Sequence, residues 1–230
     1  MSLGGFAETW AQFCARERTL GPSEGVIESW RRGRDRYAVW TLRVTDALVI
    51  ARMAAVASRL EGAIVPVRPE DAHVTVWVCG FPVAAPRFDD DVTEAIIAAQ
   101  RAAVANLSRP QIVVGAPNAF ATCAFLEVHD PHGDLAALRA TLAVPGGKEV
   151  RFDRYRPHLT VGRFVDTRPA APIAAVLESL RGGLVELRAV HDCALELVEM
   201  DARAPERLTT IWPLYRRNAA AEAASPGTPA

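Results

Sequence analysis

Two short runs each set a histidine at the head of an otherwise apolar strand pattern: "HVTVWV" at 73–78 and "HLTVGRF" at 158–164. Side chains alternate between the faces of a strand. His73, Thr75 and Trp77 therefore share one face, and Val74, Val76 and Val78 share the other. In the second run His158, Thr160 and Gly162 share a face, with Leu159, Val161 and Arg163 opposite. On an ideal strand Arg163 points away from His158, and a bulge would be needed to bring it in. In both runs His and Thr stand about 7 Å apart along the strand. The aliphatic rows can pack on helices. The polar pairs must line something wet or bind a ligand, because burying them unpaired is costly.

The chain holds five histidines. Two of five followed by aliphatic–Thr–aliphatic is, by ordinary residue frequencies, a coincidence on the order of one in a few thousand.

Strand and helix patterns alternate around both motifs without forming a regular βαβ array. "RYAVWTLRV", the first motif, "QIVVGAPNAF", "ATCAFLEVHD", the second motif and two late apolar runs read as strands. "ALVIARMAAVASRL", capped by Thr45 or Asp46, "HGDLAALRATLA" and "APIAAVLESLRG" read as helices. "DDDVTEAIIAAQRAAVANL" reads as a helix with acids in its first turn, and 115–118 as a turn between two strands. A strand–helix–strand–helix run falls in each half. The expected class is α+β: two similar lobes, each an antiparallel sheet with flanking helices, and a cleft between them where the two histidines face each other. Residues 37–217 would form that domain. Residues 1–36 form a partly helical N-terminal extension, with Phe6, Trp10, Phe13 and Cys14 at helical spacing. Residues 218–230 are a low-complexity tail expected to be disordered.

A net charge of −1 argues against a protein held to nucleic acid by bulk electrostatics alone. The four cysteines form no C-x-x-C pair, and Cys79, Cys123 and Cys193 lie in apolar runs as small buried hydrophobes. No run resembles a signal peptide or a membrane span. A cytoplasmic setting, no membrane association, no obligate protein partner and a monomer are the expectations.

Two imidazoles and two hydroxyls make a specific inventory. Histidine's ordinary pKa of about 6.5 lets one ring be neutral while the other is charged. One can take a proton from a nucleophile while the other gives one to a leaving group. Thr75 and Thr160 hydroxyls can donate to phosphoryl oxygens that carry charge in a transition state. No carboxylate cluster or metal-ligand set accompanies them, so no metal and no cofactor are expected. In-line displacement at a phosphodiester fits. Trp77 could stack a base, and Tyr155 and Arg156 could contact base or phosphate. The basic run at 31–36 reads as a solvated linker, and His129 and His132 as turn residues.

His73-Val74-Thr75-Val76 and His158-Leu159-Thr160-Val161 resemble the paired motifs of the two-histidine (2H) phosphoesterase superfamily. "YRPHLTVGRF", with its preceding proline and following arginine, is similar to the second motif of the RNA 2′,3′-cyclic phosphodiesterase, or 2′-5′ RNA ligase-like, branch. The resemblance covers roughly 36–215. It implies a bilobal α+β fold and metal-independent chemistry on the 2′,3′-cyclic phosphate ends of RNA or nucleotides. His73 and His158 would then be general acid and base, and Thr75 and Thr160 the phosphate ligands. Action on 2′-5′ oligonucleotides and a non-catalytic nucleotide-binding module are the alternatives. The family's Phe-Leu-Gly continuation is here Trp77-Val78-Cys79-Gly80, which leaves the substrate open.

Overall fold

The computed structural model describes residues 4–146, 148–150, 154–181, 188–190, 193–203 and 208–213, with 211–213 by their backbone alone. The expected tail at 218–230 lies outside them. In chain order the elements are α1 (Gly4–Cys14), α2 (Glu24–Arg31), β1 (Arg36–Val44), α3 (Ala47–Arg59), β2 (Ile64–Pro66), a 3-10 turn (Pro69–Asp71), β3 (His73–Pro82), β4 (Asp91–Val92), α4 (Glu94–Val104), β5 (Ile112–Ala119), β6 (Cys123–His129), α5 (Asp134–Ala143), β7 (His158–Phe164), α6 (Ala170–Arg181), β8 (Arg188–Val190), β9 (Cys193–Asp201) and β10 (Leu208–Pro213).

The described strands form a mixed, curled sheet in the order β10-β9-β1-β3-β7-β6-β5-β8, with β2 on the far end of β7 and β4 parallel to β3. The two halves meet where β3 and β7 run side by side. There the ladder contains one residue pair, Val74 opposite Leu159. The lobes expected from the repeated motif are therefore two halves of one sheet, joined along the strands that carry the histidines.

The aliphatic rows behave as the alternation requires. Val74, Val76, Leu159 and Val161 are buried in one core with Val49, Met53 and Val56 of α3, Leu135, Leu138 and Leu142 of α5, and Ile173 and Leu177 of α6. Burying each such side chain contributes about 1.5–3 kcal/mol. Asp46 caps α3 by accepting from the Leu48 and Val49 N–H groups, both at 3.0 Å.

Two local expectations change. Residues 115–118 are not a turn: β5 runs through them, and the reversal falls at 120–122. Gly115 and Ala116 form a bulge in the β5–β6 ladder. Gly115 is there because a Cβ would lie 2.6 Å from the His129 ring. The acids at 89–91 do not open α4, which starts after its cap Thr93. Asp90 and Asp91 instead pair with Arg34, at 2.7 Å for the Asp90 carboxylate. The basic run at 31–36 is thereby neutralised in part, and Arg31 pairs with Glu28 and Asp35.

Candidate active site

Both motifs end in the same irregularity. On β3, Thr75 pairs with Thr41 and Trp77 with Trp40 of β1, so Val76 is an extra residue. On β7, Thr160 pairs with Phe125 and Gly162 with Ala124 of β6, so Val161 is extra. Each bulge adds one residue and inverts the alternation beyond it. Val78 and Arg163 are thereby turned onto the face of the histidines. Trp77 and Gly162 are turned off it. Carrying the Val74–Leu159 register one residue either way sets His73 opposite Thr160 and Thr75 opposite His158. Bulges just beyond this square let the strands splay, and the space they leave is a cavity of about 340 Å³. His73, Thr75, His158, Thr160 and Arg163 line it together, with Tyr37, Val39, Val78 and Met200 forming an apolar wall and Phe120, Thr122 and Cys123 another. No carboxylate faces it among the described residues.

The carbonyls freed by the bulges find partners elsewhere. Val161 O accepts from Val67 N at 2.9 Å. Val76 O accepts from the Arg139 guanidinium, and Thr75 O accepts from the Tyr155 hydroxyl at 2.8 Å. Gly162 admits β2: a Cβ there would lie 2.7 Å from Val65 O.

The histidines are oriented by one device used twice. His73 Nδ1 is 2.7 Å from Asp71 O, and His158 Nδ1 is 2.8 Å from Arg156 O. A carbonyl only accepts, so in the neutral ring each Nδ1 carries the proton and each Nε2 keeps its lone pair. Burial pushes the His73 pKa down to about 4; the Asp71 carbonyl opposes this, while the charges of His158 and Arg43 add to it. Burial also lowers His158, opposed by the Arg156 carbonyl. The Phe120 and Phe125 rings meet the His158 imidazole edge-on, with centroids 5.0 and 5.2 Å away.

A family model described as the 2′-5′ RNA ligase superfamily matches residues 44–202, well over half of the chain. The chain belongs to that superfamily. Solved structures share its fold at low identity. One is TT0787 of Thermus thermophilus (15% identity, TM-score 0.51, covering 77% of this chain and 97% of that one). Another is the LigT protein of Escherichia coli complexed with 3′-AMP (16%, 0.52, 79% and 99%). A third is ATU0111 of Agrobacterium tumefaciens (14%, 0.53, 79% and 87%). No curated protein matches.

Within this superfamily member the four motif residues share one cavity, and the three weaker candidates do not line it. Trp77 lies in the core among Val74, Val76 and Trp40, because the Val76 bulge rotates it away from the cleft. Tyr155 is half-buried, its ring under the Arg139 guanidinium at 3.6 Å and its hydroxyl on β3. It braces the first bulge from the lead-in to the second motif. Arg156 turns its guanidinium to α1, onto Gly5 O and Glu8. Arg163, by contrast, joins the cavity. Its signal in the sequence was Gly162, a glycine inside a strand, which marks a bulge or a close backbone approach. Phe120 and Thr122 carried no local signal, since they reach the site only through the β5–β6 reversal.

Proposed function

We propose that this protein is a metal-independent phosphodiesterase that opens 2′,3′-cyclic phosphates on RNA ends or nucleotides. The observation that carries the reading is that two histidines, 85 positions apart in the chain and oriented by the same carbonyl contact, line one cavity with two threonines and an arginine. The superfamily match and the fold shared with a LigT structure holding 3′-AMP support it.

In the proposed reaction His73 Nε2 takes a proton from water as the water oxygen bonds to phosphorus. The bond from phosphorus to one ribose oxygen breaks, and His158 returns a proton to that oxygen. His73 is the base because its depressed pKa keeps it neutral, and the Arg43 charge beside it reinforces this. His158 holds the proton in the productive state. Thr75 and Thr160 donate to the non-bridging oxygens, and Arg163 offsets the charge that builds there. The membership of a 2′-5′ RNA ligase superfamily favours one second reading, action on 2′-5′ linkages.

Purified protein incubated in EDTA with 2′,3′-cyclic AMP, with RNA ending in a cyclic phosphate and with 2′-5′ diadenylate separates the readings. Opening of the cyclic substrates with the chelator present is the expected result. Turnover of the 2′-5′ dinucleotide alone moves the assignment to the second reading. Tight nucleotide binding without turnover makes the protein a binding module.

A further inference from the structure

The helix α1 lies outside the residues matched by the family model, yet it reaches the loop that carries His158. Glu8 accepts from the Arg156 guanidinium at 3.0 Å, and Gly5 O accepts from the same group. Arg156 is largely buried there, its side chain 17% exposed. Two residues on, its own carbonyl receives the His158 Nδ1–H. A second contact runs parallel to the first. The Phe6 ring packs on Phe125, with centroids 6.1 Å apart, and Phe125 meets the His158 ring. Asn118 donates to Phe6 O at 3.1 Å and fixes the helix start against β5. The first motif is braced by other elements: the Arg43 guanidinium of β1 donates to Glu70 O, beside Asp71, and the Tyr155 hydroxyl holds Thr75 O. Asp71, whose carbonyl holds His73, is paired with Arg68 three residues earlier in the chain.

We propose that Glu8, acting through Arg156, is a positioning residue for His158: α1 clamps the guanidinium, and the Arg156 carbonyl then fixes the ring with Nε2 aimed into the cavity. This rests on the phosphodiesterase reading for its effect on turnover, but the clamp itself is observable without turnover. Glu8 is half exposed, so its replacement leaves the core intact. Gly5→Ala is an independent perturbation, because its Cβ would lie 2.7 Å from the Arg156 guanidinium and displace it while favouring the helix.

The test uses the full chain with Glu8→Ala, Glu8→Gln and Gly5→Ala. Nitrogen-15 spectra of the imidazoles report which ring nitrogen carries the proton. In Glu8→Ala and Gly5→Ala the His158 signals should move toward a mixture of tautomers while those of His73 stay in place. Glu8→Gln, which keeps an accepting oxygen, should restore part of the native signal. On a cyclic nucleotide, kcat should fall about 3- to 10-fold with KM within about twofold, as expected for a misaimed proton donor. Unchanged His158 signals in both variants would overturn the proposal, and so would equal movement of both histidines. Should the wild type turn over no phosphodiester, the catalytic reading fails, and the spectra still decide whether the clamp exists.

Discussion

The two half-sites are built alike and supported differently. Each presents His-x-Thr at the start of a strand, each donates Nδ1–H to the carbonyl two residues back, and each is followed by a one-residue bulge. Around His73 the support comes from its own lead-in turn and from β1: a 3-10 turn holds Asp71, Arg68 pairs with its carboxylate, and Arg43 donates to Glu70 O. A cation, Arg43, stands opposite on β1 and is itself paired with Glu196 at 2.8 Å. Around His158 the support is remote, drawn from α1 and from the Phe120 and Phe125 rings. The lesson is that a symmetric pair of motifs need not make a symmetric pair of catalysts. Burial lowers the pKa of both rings, and at His73 the Arg43 charge adds to it, which is the difference that assigns His73 the base in the proposed reaction.

The largest expected effect tests the part that is shared. His73→Ala and His158→Ala should each lower kcat by a factor of about 10²–10⁴, with circular dichroism unchanged. The double variant should be little worse than either, because the two act in one proton relay. Full activity in either single variant breaks the pairing. Next come the hydroxyls. Thr75→Val and Thr160→Val should each cost about 10²-fold in kcat, the scale of one lost donor to a charged transition state. A loss confined to one of them would make the phosphate site asymmetric as well.

The electrostatic difference is read from pH. The rate on a cyclic nucleotide should rise through a limb near pH 4 as His73 loses its proton, and fall where His158 loses its own, below the ordinary 6.5. An acidic limb near 6.5 would reject His73 as the neutral base. The same shift acts on stability. The folded His73 binds its proton less readily than the unfolded chain, so stability present above pH 6.5 is lost as pH falls toward 4, by about 3 kcal/mol. His73→Asn should flatten that part of a urea-unfolding series across pH. The smallest effect belongs to Trp77. Its indole N–H is buried without a hydrogen-bond partner, so Trp77→Phe removes an unsatisfied donor while losing some volume. Stability should change by less than about 1.5 kcal/mol and kcat by less than about twofold. A large loss of substrate affinity would return Trp77 to the cleft.

Much of this site was legible because it obeys a period of two. His73 and Thr75 face the cavity, as do His158 and Thr160, and the aliphatic rows go to the core. The misreadings begin one residue further on. Trp77 and Arg163 exchange roles because Val76 and Val161 are bulged, and a bulge is decided by the partner strand's register, which no single strand displays. Tyr155 and Arg156 sit where substrate contacts were expected, but each is held by a partner distant in the chain, Thr75 and Glu8.

The amino-acid sequence by itself determined the alternation of strand and helix, the repeated His-x-Thr pair and which face of each strand is apolar, because these follow from side-chain chemistry and local geometry. Only the tertiary structure decided that both pairs share one cavity, that Arg163 enters it and that α1 reaches the second histidine. Those outcomes depend on where strands from different parts of the chain meet and slip by one residue, and that is set by the packing of the whole sheet.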